Sequence, residues 1–169
     1  MYRFSSMIIY TLGTIIFPFD RAINWLQILL EEEIIVEPVL LQYGSTSATK
    51  LSHPLLTSVA SLTRNEMYEA VKQASLVISH AGQGSTRMLT EMGACFILLP
   101  RLKRYKEHVD DHQLLFARAV EKYGVQHCTE LDQLIYYVKY RPYPFEGELF
   151  NAPSLTEHLI ARYSLQLQQ

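Results

Sequence analysis

Along the chain, short apolar runs alternate with longer segments whose apolar positions recur at helical spacing. That is the pattern of βαβ units, in which a largely parallel sheet is covered by helices on both faces. The apolar runs predict strands at Met7–Leu12, Val39–Tyr43, Leu56–Ala60, Leu76–Ser79, Phe96–Leu99 and Val125–Cys128. The amphipathic segments predict helices at Asp20–Glu33, Asn65–Ala74, Ser85–Met92, Val109–Tyr123, Leu131–Lys139 and Ser154–Tyr163. Asp20, Asn65 and Ser154 read as N-caps, and Gly93 and Gly124 as helix ends. The fold class that follows is α/β and Rossmann-like, a mostly parallel sheet flanked by helices.

With 169 residues, the chain suits one domain over 1–169 and is too short for two nucleotide-binding domains. Residues 1–6 read as a disordered extension. Residues 141–153 read as a connector to a C-terminal helix, because Pro142 and Pro144 interrupt any helix there. A net charge of −2 gives no basic footprint, so nucleic acid is not an expected partner. The apolar stretch from Met7 to Phe19 is broken by Gly13 and Pro18 and is too short to span a membrane, and a secretory signal is not expected. Cys95 and Cys128 lack a Cys-x-x-Cys spacing and read as reduced thiols of a cytoplasmic protein.

The segment Leu76–Ser85, Leu-Val-Ile-Ser-His-Ala-Gly-Gln-Gly-Ser, carries the chemistry. A strand that breaks at glycines into a helix brings unpaired backbone N–H groups and a positive dipole end to one point, which suits the diphosphate of a nucleotide. In open parallel sheets ligands bind beyond the carboxyl ends of the strands. Three loops, Gly13–Pro18, Gly44–Ser47 and Gly82–Ser85, are expected to meet there. Gly82 and Gly84 read either as plain turn residues or as points of close backbone approach to a ligand. His80 reads as a core imidazole or as a ligand contact.

No Gly-x-Gly-x-x-Gly follows the first strand, which argues against nicotinamide binding, and no Gly-x-Ser-x-Gly elbow occurs. Glu107, His108, Asp110, Asp111 and His112 read as a polar helix start rather than a metal site, since His-Glu-x-x-His is absent. No metal and no cofactor are expected. Arg101, Lys103, Arg104 and Lys106 read as a solvated basic loop that could also attract a diphosphate or anionic headgroups. The apolar loop Ile15–Phe19 reads either as partly packed in the core or as a docking surface for a partner or a membrane.

The chain resembles the carboxyl-terminal domain of family 28 glycosyltransferases. The resemblance rests on Gly13-Thr14 with Phe17-Pro18-Phe19-Asp20-Arg21, on Gln42-Tyr43-Gly44, on Ser79-His80-Ala81-Gly82-Gln83-Gly84-Ser85, and on Glu107-His108-Val109-Asp110-Asp111-His112-Gln113. It looks most like small stand-alone subunits of two-chain enzymes. These are bacterial exopolysaccharide transferase subunits and the eukaryotic catalytic subunit that adds N-acetylglucosamine to a dolichol-linked sugar. The resemblance implies the donor-binding half of a GT-B enzyme that moves a sugar from a UDP-sugar to a lipid-linked acceptor with inversion. It also implies a membrane-anchored acceptor-binding partner chain, which would hold this one at the cytoplasmic face of the membrane.

Carried over residue by residue, the donor site comprises Gly13, Thr14, His80, Gly82, Gln83, Gly84 and Ser85, with His112 and Gln113 at the sugar and His112 the candidate base. Met88 stands where the family usually places a ribose-binding glutamate. Ile15 stands where many bacterial relatives carry a histidine. These departures keep two alternatives open, a non-catalytic partner subunit and a nucleotide-binding regulatory module.

Overall fold

The computed structural model describes residues 6–150. Six strands form one parallel sheet: β1 (Met7–Thr11), β2 (Val39–Gln42), β3 (Leu56–Val59), β4 (Ala74–His80), β5 (Phe96–Leu99) and β6 (Gln126–His127). Among the described residues four α-helices lie between strands, α1 (Asp20–Glu31), α2 (Arg64–Gln73), α3 (Gln83–Glu91) and α4 (His112–Glu121), and α5 (Leu131–Lys139) follows β6. The strand order is β3-β2-β1-β4-β5-β6. The winding reverses between β1 and β4, and such a reversal opens a crevice at the carboxyl edge.

Alternation along the central strands explains why they read as continuous apolar runs. Ile8, Tyr10, Leu76, Ile78, Ile97 and Leu99 enter one core with α1 and α5, whereas Ile9, Val77, Phe96 and Leu98 enter a second with α4. A strand buried on both faces has no polar side to show. The Tyr10 hydroxyl is satisfied inside the first core by donating to the Ala22 carbonyl at 2.9 Å.

The element boundaries differ from the sequence reading where a local bond decides them. Asp20 and Asn65 are not caps: Phe19 and Thr63 hold those positions. Thr63 and Glu66 form a reciprocal capping box, the S/T-x-x-E pattern that satisfies two end donors at once. Ala74 leaves α2 in an extended conformation and pairs with Met7, so β4 begins two residues before Leu76. Helix α3 starts at Gln83, before Ser85. Helix α4 starts at His112 instead of Val109, because the Asp110 carboxylate accepts the His112 backbone N–H at 3.1 Å and holds the preceding turn out of the helix. Gly93 and Gly124 do end helices, with φ of +61° and +91°.

Cys95 and Cys128 are free thiols, and burial pushes Cys128 up to about 12. Of the extension read at 1–6 only Ser6 is described, and the helix read at Ser154–Tyr163 lies outside the described residues. Among the described residues no helix is long and apolar enough to cross a membrane.

Candidate functional site

At the carboxyl edge, where β1 and β4 part, lies a cavity of about 710 Å³, within the usual range for small-molecule sites. Thr11, Gly13, Thr14 and Ile15 line it from the end of β1, Gln42 from β2 and His80 from β4. Gly84, Ser85, Arg87, Met88 and Glu91 line it from α3, and Leu62, Thr63, Arg64 and Met67 from the start of α2.

The three glycine-bearing loops do meet here, through close packing of backbone and imidazole. A Cβ on Gly13 or on Gly82 would stand 2.7 Å or 2.5 Å from His80 Nε2, and a Cβ on Gly44 would stand 2.1 Å from the Gly13 carbonyl oxygen. Gly13 and Gly44 also have φ of +74° and +61°, which L side chains rarely adopt. Gly82 therefore makes room for the His80 ring. Gly84, by contrast, has open space around it, and the bare backbone it presents lines the cavity.

Gln42 fastens this arrangement. Its amide nitrogen donates to the carbonyls of Gly13 and Ala60 at 3.0 and 3.1 Å, while its oxygen accepts from the Thr11 hydroxyl at 2.6 Å.

His80 is held neutral. Burial, and next the charge of Arg101, push its pKa down to about 4 against a hydrogen bond to the Thr11 backbone. Its Nδ1 is buried with no partner among the described residues. The ring therefore contributes shape and a polar atom but no positive charge at neutral pH. An anion in the cavity would rely on α3. No side chain caps its first turn and no acidic residue lies there, so its leading N–H groups and dipole end are available to a ligand. The cavity wall beyond holds Met88 and an Arg87–Glu91 ion pair at 2.9 Å.

Sequence reasoning missed Arg101. The side chain assigned to a solvated loop is buried, 1% exposed. Its guanidinium donates to the carbonyls of Leu12, Phe17 and Glu107 at 2.8, 2.7 and 3.3 Å and lies over the Phe19 ring at 4.5 Å. Burial pulls its pKa down to about 10, which leaves it charged at neutral pH. Glu107 turns its carboxylate to Arg21, with two contacts of 2.8 and 2.9 Å, and to the Leu102 N–H. This ion-pair network ties the Gly13–Phe19 loop to the segment after β5. The spacing of three distant charges gave no signal for it, because the ion pair closes across 86 residues.

The Ile15–Phe19 loop is buried in part, as the core reading expects. Phe19 is fully buried and Ile16 is 82% exposed.

His112 and Gln113 begin α4 and do not line the cavity. Gln113 is buried and its side-chain oxygen accepts the Arg101 backbone N–H at 3.1 Å. His112 pairs through Nδ1 with the Asp110 carboxylate, and its ring meets that of His108 edge-on at 4.3 Å. Gln83 is exposed at the head of α3.

Fold and site together define a doubly wound α/β domain with a crevice at its switch point. The chain belongs to the glycosyltransferase family 28 C-terminal domain family, whose model matches residues 9–140. No curated protein matches it significantly. Among solved structures it is similar to the glycosyltransferase SnogD from Streptomyces nogalater, with TM-score 0.58, 15% identity, and coverage of 95% of this chain and 39% of that one. It is similar to the glycotransferase of kitacinnamycin, with TM-score 0.56, 17% identity, and coverage of 93% and 38%. It is also similar to SsfS6 of Streptomyces sp. SF2575, a glycosyltransferase complexed with thymidine diphosphate, with TM-score 0.52, 16% identity, and coverage of 98% and 39%. The chain thus spans about two fifths of the length of these structures.

Proposed function

We propose that the chain is the donor-binding subunit of an inverting glycosyltransferase. On this reading it takes a sugar from a UDP-sugar to a lipid-linked acceptor in exopolysaccharide or glycolipid assembly, together with a second, membrane-anchored chain that binds the acceptor. The observation that carries the reading is the uncapped start of α3 opening into the switch-point cavity of a family 28 domain. The thymidine diphosphate complex of SsfS6 supports a nucleoside diphosphate as the ligand class. The acceptor-binding half is assigned to the partner chain, for which the exposed Ile16 side of the loop is the docking surface.

In the reaction, the acceptor hydroxyl oxygen forms a bond to the anomeric carbon from the face opposite the diphosphate. The bond from that carbon to the diphosphate oxygen breaks, and its electron pair leaves with the diphosphate. Charge growing on the departing group is met by the backbone N–H groups of Gln83, Gly84 and Ser85 and by the α3 dipole, which are already oriented before reaction. The hydroxyl proton passes to a base assigned to the acceptor side. His112, with Nδ1 on the Asp110 carboxylate, is the candidate on this chain. No metal or cofactor enters this scheme.

Met88 in the cavity wall favours a second reading, a non-catalytic partner subunit, because a thioether does not accept ribose hydroxyl bonds well.

Calorimetric titration with uridine diphosphate tests the proposal on the wild type and on Gly84→Trp. A side chain at Gly84 enters open space, so the indole fills the cavity and leaves the core alone. Saturable binding by the wild type, with at least a tenfold loss in Gly84→Trp at unchanged melting temperature, is the expected result. No binding by the wild type, alone or with the second chain, overturns the catalytic reading in favour of the partner-subunit one.

A further inference from the structure

Between β5 and α4 the sequence offers five potential metal ligands within six residues, Glu107, His108, Asp110, Asp111 and His112. The fold sorts them. Glu107 is consumed by Arg21 and the Leu102 N–H, and Asp111 accepts the Lys103 N–H at 2.8 Å. The remaining three converge, with one ligand atom each of His108, Asp110 and His112 within 4.8 Å of one another.

Their protonation matters as much as their distances. His108 Nδ1 accepts the Asp110 backbone N–H at 3.4 Å, which fixes that nitrogen as an unprotonated lone-pair donor. The same Nδ1 lies 3.2 Å from the Asp110 carboxylate oxygen. His112 Nδ1 points at that same oxygen. The His108–Asp110 separation is close to the edge of about 3.3 Å that two ligands about 2.05 Å from a tetrahedral ion would span. The Phe17 ring lies 5.8 Å from the His108 ring and covers one side, while the side chains of His112 and Asp110 are 33% and 55% exposed and leave an approach from solvent.

We propose that His108, Asp110 and His112 form a binding site for a divalent transition metal of the zinc class. Two neutral imidazole nitrogens and one carboxylate oxygen supply three ligands, a set that suits zinc and its cobalt substitute and not magnesium or calcium. The inference rests on residues 107–112 and does not depend on the donor-binding reading. It excludes a general-base role for His112 while the metal is bound, since a neutral imidazole that ligates through Nδ1 carries its proton on Nε2 and has no lone pair left to accept another. The aspartate also serves the fold by accepting the His112 N–H, so the site and the start of α4 are one device.

Titration of the metal-free full chain with cobalt(II), followed by visible absorption, tests the site without reference to activity. One equivalent should bind with the intense d–d bands of a four-coordinate centre and should be displaced by zinc. His108→Ala and His112→Ala should each weaken binding by at least about tenfold, since the loss of even a second-shell partner commonly costs that much. Asp110→Asn keeps an oxygen to cap α4 and removes the anionic ligand, so it should fold as the wild type does and bind cobalt more weakly. Absence of the d–d bands, or affinity unchanged in the Asp110→Asn chain, overturns the proposal.

Discussion

Helices α2 and α3 both begin at the same cavity, and they begin in opposite ways. Helix α2 is closed by its own residues. Thr63 accepts the Glu66 N–H at 3.3 Å, and the Glu66 carboxylate accepts the Thr63 N–H and hydroxyl, each at 2.7 Å. Helix α3 has Gly82 at its N-cap position, with no capping side chain and no acid in its first turn. The Thr86 hydroxyl, which could have turned towards the helix end, donates back to the Gly82 carbonyl at 2.9 Å. One helix spends its end groups on its own stability and the other leaves them without a capping side chain. Where local rules are obeyed at one point and broken at its neighbour, the broken one is the better candidate for function.

The largest effect concerns the floor beneath α3. His80 is wedged between Gly13 and Gly82 and its pKa lies near 4, below the ordinary histidine value of 6.5. Above pH 6.5 the imidazole is neutral in both the folded and the unfolded chain, so it adds no pH dependence. As the pH falls from about 6.5 to about 4 the unfolded chain takes up a proton that the folded chain refuses, and stability drops by up to about 3 kcal/mol. Chemical denaturation across this window should show the loss. The ring resonances of His80 in proton–carbon correlation spectra should remain those of a neutral imidazole at pH 5.5. A His80 that titrates near 6.5 would mean that the glycines leave the ring solvated and that the cavity floor is loose.

A smaller effect separates the two uses of a helix start. Ser85→Glu places a carboxylate in the first turn of α3, where it should stabilise the helix by about 0.3–1 kcal/mol. The same charge stands where the diphosphate is read to bind. Affinity for uridine diphosphate should fall about tenfold, close to 1.4 kcal/mol and modest for two charges in a partly screened site. Stability and binding then move in opposite directions in one variant. If both rise, the ligand is not anionic at that end, and α3 is merely an imperfect helix.

How much of this is legible in the sequence follows from the same contrast. The strands can be read because burial on both faces writes an unbroken apolar run, and the pattern places β5 and α5 to the residue. The glycine-to-helix junction at Gly82–Ser85 is legible as a helix start without a capping side chain because the signal is local. What lies hidden is long-range. Gly82 serves the His80 ring, a fact that depends on where Gly13 arrives from another strand. Arg101 reads as one more cation in a basic loop until three carbonyls from two separate segments close around it. The Thr63-x-x-Glu66 box is written in the sequence, yet Asn65, a good capping residue type two positions further on, competes with it for the reading. The convergence of His108, Asp110 and His112 needs the turn that Asp110 itself enforces by stopping α4 short of Val109.

The smallest effect completes the contrast from the α2 side. Thr63→Ala removes the hydroxyl that accepts from Glu66 and donates to its carboxylate, and the loss of such a cap costs about 1 kcal/mol. Although Thr63 lines the cavity, its oxygen is already committed within the helix end, so uridine diphosphate affinity should change far less than melting temperature does. Acid titration gives a second readout. The backbone and hydroxyl of Thr63 hold the Glu66 carboxyl below its ordinary range, so this pair contributes stability above that range and loses it as the pH falls through the lowered value. In the Thr63→Ala chain the hydroxyl's share of that pull is gone and the backbone's remains, so the acid limb of the stability curve should flatten in part. An affinity loss in Thr63→Ala as large as that in Ser85→Glu would mean that both helix starts face the ligand, and the division of labour between them would be wrong.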